Sequence, residues 1–211
     1  MNIKQKAVCK SMDIRNSAEY FSKLENCTVI EGYLQIVLID HAKPSDYAGL
    51  SFPKLREITE YFVMFRVKNL QTLRHIFPNL AVIRGDSLFF NYALIIFEMF
   101  ELQEIGLPSL QAVMRGWVRI EKNINLCYLS TVDWSLVQVQ GMENNFIKGN
   151  KDQEECFNFC PEDDGKRLCR KLTATGDVAE LCWTGQDCQK GKPVEKLFFK
   201  TTHIKRYLQP H

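Results

Sequence analysis

Hydrophobic residues recur in short runs along residues 24–123, and most runs follow a similar turn. The turn reads Phe-Pro or Leu-Pro, then one residue and a Leu, and its prolines are Pro53, Pro78 and Pro108. The apolar runs cover residues 28–39, 58–67, 82–90 and 113–120. A repeat of turn and strand indicates a solenoid, in which stacked units share one core. We therefore predict a mainly β fold whose parallel strands stack between neighbouring coils.

Glycines and a leading segment complete this repeat. Gly32, Gly85 and Gly116 occupy similar places in three units, where a tight bend needs a residue without a side chain. Ahead of the repeat, residues 13–27 are predicted to form a short helix that caps the open end of the coil. Phe21 and Leu24 lie three positions apart and would share one face of that helix.

In the second run, residues 58–67, the sequence predicts which side chains share a face of the sheet, because neighbouring residues of a strand face opposite sides. Phe62 and Met64 should share one face, and Val63 and Phe65 the other.

The same argument points Val118 and Ile120 inward and Arg119 and Glu121 outward. One sheet face would then carry apolar side chains with a charged rim. The residues of this predicted patch are Leu38, Phe65, Phe89 or Phe90, Phe97, Arg119, Glu121 and Lys122. An apolar patch with a charged rim is typical of a protein-binding surface. The alternative is that the aromatic residues belong to the core.

Composition and net charge limit the classes of function that the chain can have. The 211 residues are 45% hydrophobic, and 27 basic against 25 acidic side chains give a net charge of +2. This balance disfavours nucleic-acid binding, and no apolar run approaches the ~20 residues of a membrane span. Eight cysteines indicate disulfides in an oxidising compartment. The alternative, a cytosolic zinc site, lacks a Cys-x-x-Cys pair.

The two ends of the chain differ from the repeat. Residues 1–6 are polar, so we expect no signal peptide in the sequence as written. Five of the cysteines lie within residues 156–190, which suggests a small disulfide-bonded module there. Residues 191–211 have no cysteine and are predicted to be a floppy extension. Asn26, followed by Cys27 and Thr28, is the one N-glycosylation sequon.

Catalytic motifs are missing from the sequence. The four histidines are scattered, and no metal-binding spacing, nucleophile elbow or phosphate-binding loop occurs. A β-helix enzyme that cleaves carbohydrates would need two facing carboxylates. Its candidates are Glu31, Glu60, Glu98 and Glu121, and nothing pairs them. We expect no enzyme, no metal and no cofactor.

Long strings of this chain resemble the first ligand-binding L domain of the insulin receptor family, which includes the insulin, insulin-like growth factor and insulin-receptor-related receptors. The strings are residues 12–16, 24–32, 77–85, 89–99, 119–123 and 126–134, and the resemblance covers about residues 8–190. Residues 156–190 resemble the opening of the family's furin-like cysteine-rich region. The implied organisation is an N-terminal extension (1–8), an L domain (9–155), a truncated cysteine-rich module (156–190) and a tail without a family counterpart (191–211).

The resemblance implies a right-handed parallel β-helix, similar to leucine-rich repeats, and the disulfides Cys9–Cys27, Cys127–Cys156, Cys160–Cys182 and Cys169–Cys188. In the family, a peptide hormone docks on the central sheet, together with the C-terminal helix of the receptor α chain. Carried over by position, the contact surface is Asp13, Arg15, Asn16, Gln35, Leu38, Phe65, Phe89, Phe90, Asn91, Tyr92, Phe97, Arg119, Glu121 and Lys122.

Some features depart from the family. Asp40 stands where the insulin receptor has an aromatic residue, which would weaken or retune insulin binding. The later receptor domains, the membrane span, the kinase and the C-terminal helix are absent from the sequence, so an isolated fragment should bind weakly. Residues 29–34 and 127–136 favour the growth-factor receptor. Residues 77–85 and 107–115 look more like the orphan insulin-receptor-related receptor, which is associated with alkaline sensing.

The sequence therefore predicts a non-catalytic, hormone-binding fragment of a receptor tyrosine kinase ectodomain. It would lie on the extracellular face of the plasma membrane in the parent receptor, or be secreted if exported alone. The alternatives are a fragment of the orphan receptor without hormone binding, and a non-functional truncated isoform.

Overall fold

The computed structural model describes residues 7–173 and 176–190. Nine strands form one sheet in which every pairing is parallel. They are β1 (Val8–Arg15), β2 (Val29–Ile39), β3 (Glu57–Ile58), β4 (Phe62–Val67), β5 (Val82–Ile83), β6 (Tyr92–Phe97), β7 (Ala112–Val113), β8 (Trp117–Glu121) and β9 (Phe146–Lys148). Short 3-10 helices cover Ala18–Leu24, Pro44–Tyr47, Trp134–Leu136, Met142–Asn144 and Gln153–Glu155. The prediction of a mainly β fold with parallel strands is confirmed.

Strand β2 belongs to two ladders. Its first residues pair with β3, which is followed by β5 and β7, and we call this series the short ladder. Its second half pairs with β4, which is followed by β6, β8 and β9, and we call this series the long ladder. The bend lies at Gly32, with φ +131°, where an added Cβ would meet Ser11 Oγ at 1.9 Å. The Gly32 N–H donates to Thr59 Oγ1 at 2.8 Å, so a side chain from the next rung holds the bend.

The predicted runs are therefore not single strands. Each of the runs 58–67, 82–90 and 113–120 begins on a short-ladder strand or at its end and then turns a corner. It ends at the start of a long-ladder strand or in the turn before that strand. Gly85 and Gly116 make two of these corners, with φ +70° and +86°. Each corner carries a short polar step between apolar residues, such as Thr59-Glu60 or Arg84 to Ser87, and the predicted runs read across that step as one strand.

The predicted helix is wrong in extent. Asp13 lies on β1, where the backbone pairs with β2, and the helix covers only Ala18–Leu24. Its start is set by Ser17, whose hydroxyl accepts the Glu19 N–H at 3.2 Å. Phe21 and Leu24 are fully buried on one face, as predicted.

One large apolar core lies inside the coils, and the predicted faces of β4 are confirmed. Phe62 and Met64 are fully buried in this core. Val63 and Phe65 belong to a separate apolar cluster on the other side of the strand. In β8, Val118 and Ile120 are likewise buried, whereas Arg119 and Glu121 are partly exposed.

The long ladder ends in a column of left-handed residues. Leu38, Arg66, Glu98 and Lys122 have φ values of 55°, 48°, 50° and 57° and follow one another from rung to rung. We call them the left-handed column. Each reverses the strand alternation, so the residue before it and the residue itself both face outward. The following residues are buried: Ile39, Val67, Met99 and Asn123.

A module with two antiparallel strand pairs follows the ladders. Its strands are β10 (Glu162–Asp163), β11 (Lys166–Arg167), β12 (Arg170–Leu172) and β13 (Val178–Glu180). The disulfides Cys9–Cys27, Cys127–Cys156, Cys160–Cys182 and Cys169–Cys188 are the pairs that the resemblance implies. No helix within the described ranges is long and apolar enough to cross a bilayer.

A tryptophan of the module packs into the main core. Trp183 is 1% exposed and belongs to the main core. Its ring meets Trp134 edge to face, with ring centroids 5.9 Å apart. An ion pair between Arg74 and Asp187 joins the two parts at the surface. The predicted tail, residues 191–211, lies outside the described residues, as do residues 1–6 of the predicted N-terminal extension.

Candidate ligand-binding face

A second apolar cluster lies outside the long ladder. Its floor is formed by Val37, Val63 and Ile95, which come from three neighbouring strands and are 5–7% exposed. Partly exposed side chains pack around this floor: Leu38, Tyr61, Phe65, Tyr92 and Phe97. We call the floor and these side chains the outer face. Because its floor is buried without the help of a partner, the surface is preformed.

A groove of about 380 Å³ lies over the outer face. Its lining includes most of the residues predicted from the resemblance: Arg15, Gln35, Leu38, Phe65, Phe89, Phe90, Tyr92, Phe97 and Arg119, beside Val37, Val63 and Ile95. The other predicted residues do not line it: Asp13, Asn16, Asn91, Glu121 and Lys122. The structure therefore brings the predicted aromatic residues together.

Two phenylalanines form the centre of this surface. Phe65 on β4 and Phe97 on β6 are paired in register, and their rings stack at 5.3 Å with an interplanar angle of 12°. Both are only partly exposed. Their mutual contact limits their rotation, so a ligand that covers them loses little side-chain entropy.

A tight turn holds two more rings at the edge. Phe89 and Tyr92 exchange both backbone hydrogen bonds, at 3.0 and 2.9 Å. The residues between them, Phe90 and Asn91, have φ values of 47° and 72°. Phe90 is 79% exposed. A large ring held in water by a left-handed turn is costly for a folded chain, which suggests that the turn serves recognition.

Arg119 lies among aromatic rings at the opposite side of the groove. Its guanidinium lies 5.1 Å from the Phe97 ring centre, 5.8 Å from Tyr92 and 5.7 Å from Phe146. It also donates to Glu121 Oε2 at 2.9 Å. These contacts fix the cation in place, where it can orient a charged ligand.

A second set of charged residues lies toward the first strand. Arg15 donates to Asp13 Oδ1 at 2.5 Å, and the hydrogen bond and charge of Asp13 raise the pKa of Arg15. Asn16 ends the strand with φ 69° and donates its N–H to the Leu38 carbonyl at 3.2 Å. At the other end, Lys122 lies 3.7 Å from Glu98. Of these predicted residues, Arg15 lines the groove, whereas Asp13, Asn16 and Lys122 lie around it.

Sequence reasoning missed two stacked tyrosines. Tyr33 and Tyr61 stack at 5.1 Å with an angle of 7°, and Tyr61 continues to Phe89 at 5.6 Å. Gln35 Nε2 donates to the Tyr61 hydroxyl at 3.0 Å, and burial raises the pKa of Tyr61. Alternation gives a signal for both tyrosines. Tyr33 lies two positions before Gln35 on β2, and Tyr61 lies two positions before Val63 of β4.

Asn26 of the sequon lies on the surface. It is exposed, and its Oδ1 accepts a hydrogen bond from Lys54 Nζ at 2.9 Å.

The aromatic residues of the strand runs divide between the core and the surface. Phe62 is fully buried in the core, whereas Phe89 is 37% exposed and lies outside the core.

Fold and face together define a disulfide-bonded β-repeat domain with an outward apolar surface. Residues 26–138 match the receptor L domain, and the chain belongs to this family. It is 57% identical over 186 residues to an insulin-like peptide receptor of Branchiostoma lanceolatum, covering 88% of this chain and 13% of that protein. It is 53% identical to an insulin receptor of Xenopus laevis and 51% identical to an insulin receptor-related protein of Mus musculus, each over 188 residues. Each of these matches covers 88% of this chain and 14% of the relative.

The chain spans 13–14% of the length of these relatives. It is a receptor L-domain segment, and no kinase domain is evident in it. Its identities to the insulin receptor and to the insulin receptor-related protein differ by too little to choose between these two types.

Proposed function

We propose that this chain is the ligand-binding segment of an extracellular insulin-family receptor, and that its outer face binds a peptide hormone of the insulin or insulin-like growth factor type. The observation that carries the proposal is the preformed apolar floor under partly exposed aromatic rings. Binding energy at protein interfaces concentrates in such packed aromatic anchors surrounded by polar groups.

The proposal includes a partner helix. The groove over Phe65 and Phe97 has a volume of about 380 Å³, and its mainly apolar lining, which includes Leu38, suits apolar side chains. By resemblance, the C-terminal helix of the receptor α chain lies here beside the hormone. Arg119 and Glu121 would set the orientation of these ligands through charge.

The proposal also concerns architecture and location. The coils would form a right-handed β-helix over residues 9–155, with the disulfide-bonded module at 156–190. All eight cysteines are paired, which supports an oxidising, extracellular environment.

A titration of the oxidised full chain with labelled insulin and insulin-like growth factor tests the hormone site. It is made with and without a peptide of the receptor's C-terminal helix. We expect Phe65→Ala and Phe97→Ala each to reduce the binding free energy by ~1–4 kcal/mol. Phe157→Ala is the matched control, because Phe157 is 80% exposed and lies on the module.

Two results would contradict this function. Unchanged affinity of both Phe variants would show that the hormone does not use the outer face. If neither insulin nor insulin-like growth factor binds a chain with all four disulfides intact, the orphan receptor is favoured. By the resemblance, the exposed Asp40 stands where the insulin receptor has an aromatic residue, which would weaken or retune insulin binding.

A further inference from the structure

A second groove, of about 520 Å³, lies where the L domain meets the module. Arg74, His75 and Ser109 line it from the L domain, and Lys171, Asp187 and Lys190 line it from the module. We call it the junction groove. It is separate from the outer face, and the hormone-binding proposal does not use its residues.

Positive charge dominates the junction groove. Its cations are Arg74, Lys171 and Lys190, and Asp187 is the single carboxylate in its lining. That carboxylate is already engaged by Arg74, and it also accepts from Thr184 Oγ1 at 3.2 Å. The lining residues therefore carry an excess of two positive charges, and Glu104, outside the lining, interacts electrostatically with Arg74 and Asp187.

Among the described residues, neither lysine has an acidic partner. Lys171 Nζ donates to the Gln189 carbonyl, and Lys190 Nζ donates to Ser109 Oγ at 3.1 Å. Within residues 7–173 and 176–190, neither forms an ion pair with a carboxylate. Since an ammonium has three donors, each lysine can offer more hydrogen bonds to a ligand.

Partial burial of Lys171 favours an anion beside it, whereas Lys190 is exposed. Lys171 is partly buried, and desolvation lowers its pKa. A charge removed from water without a counter-charge destabilises the fold. An anion in the groove would offset that cost, because charge-assisted hydrogen bonds to ammonium groups are strong.

We propose that the junction groove binds a sulfate ester of a sulfated polysaccharide. A sulfate group offers several acceptor oxygens and no donor, which matches a lining rich in donors. The groove volume also accommodates a sugar unit beside the sulfate. The choice of a polysaccharide rests on the extracellular location given under the proposed function.

The test is a titration of the full oxidised chain with a fluorescent heparin tetrasaccharide, and with the same oligosaccharide after desulfation. We expect Lys171→Gln and Lys190→Gln each to weaken binding about ten-fold. Lys148→Gln, an exposed lysine on β9, removes the same charge elsewhere and should leave the affinity unchanged. Lys171→Arg and Lys190→Arg keep the charge and should retain most of the affinity.

Several outcomes would overturn the sulfate site. They are no binding by the parent chain, equal binding of the desulfated oligosaccharide, or an equal loss in Lys148→Gln and Lys171→Gln. A loss caused by misfolding would appear as a lower denaturation midpoint, and the arginine variants then decide. Hormone binding is measured separately on the same protein, so the failure of one site is distinguishable from the failure of the other.

Discussion

Single polar residues hold the interior of the coil together, and Asn123 shows how. It is fully buried, and its Oδ1 accepts the Met99 N–H at 2.9 Å. Its Nδ2 donates to the Ile96 carbonyl at 3.0 Å and to Asn150 Oδ1 at 2.8 Å. One amide thus satisfies backbone groups that the left-handed column leaves without a strand partner.

We expect Asn123→Ala to lower the free energy of unfolding by ~2–4 kcal/mol, because it strands several buried polar groups. Asn125→Ala is the control. Asn125 is exposed, and its one hydrogen bond, to the Phe100 carbonyl, is 2.7 Å long, so the loss should stay below ~1 kcal/mol. Urea denaturation of the oxidised proteins measures both, and equal losses would show that the buried network does not stabilise the coil.

Glu104 should make stability depend on pH. Burial raises its pKa above the ordinary value of 4.5, while the hydrogen bond from Thr72 Oγ1, at 2.8 Å, opposes this shift. The folded state therefore binds this proton more tightly than the unfolded chain. Its stabilising contribution is complete below pH 4.5 and is lost as the pH rises through the folded pKa.

The substitution Glu104→Gln removes this dependence and keeps an acceptor for Thr72. We expect the variant and the parent to have equal stability at low pH, and the variant to be more stable above the folded pKa. Denaturation curves between about pH 4 and pH 8 follow this difference. Glu25→Gln, at an exposed glutamate, should show no such divergence; a divergence of the same size there would refute the role of burial.

At the scale of strands, alternation predicted much of the fold and failed at identifiable places. It assigned both faces of β4 correctly, because that strand is regular as far as Phe65. It could not predict the left-handed column, since Leu38 and Arg66 are not residue types that usually adopt positive φ. The ladder, rather than the local sequence, imposes these angles.

The outer face was predictable in part for the same reason. Alternation and resemblance together indicated Phe65 and Phe97, which belong to regular strands. They did not indicate that Phe89 and Phe90 lie in a turn, because Leu88, Phe89 and Phe90 form an apolar stretch that looks like a strand. The buried floor was missed, since a valine or isoleucine on the outward side of a strand carries no sign of its own burial.

The corner at Gly85 tests how tightly neighbouring rungs pack. An added Cβ would lie 2.2 Å from the Arg115 carbonyl oxygen, in a residue with φ +70°. We expect Gly85→Ala to destabilise the fold by more than ~2 kcal/mol, combining backbone strain and a clash. Gly49→Ala, with φ +80° and open space around it, should cost only ~1 kcal/mol. Thermal denaturation separates the two, and similar costs would mean that the corner can relax.

At the scale of the whole molecule, Trp183 of the module is buried in the core of the ladders, so we expect the two parts to unfold together. We expect Trp183→Ala to cost ~3–5 kcal/mol, because it empties a large volume in the main core. Phe159→Ala, in the same module but 74% exposed, should change stability by less than ~0.5 kcal/mol. Denaturation and amide hydrogen exchange measure both. If only the module's amides lost protection in Trp183→Ala, the two parts would be separate cooperative units.

Strand β1 extends the long ladder beyond β2, and within the described residues β1 and β9 each have a single neighbouring strand. Such terminal rungs are where a stack of parallel strands frays, and a frayed end exposes a strand edge to which other chains can add. Cys9–Cys27 ties down the first rung, and Cys127–Cys156 closes the segment that contains the last. We therefore expect reduction of both bonds to open the two ends of this stack of strands before its middle, and to promote aggregation through the exposed edges.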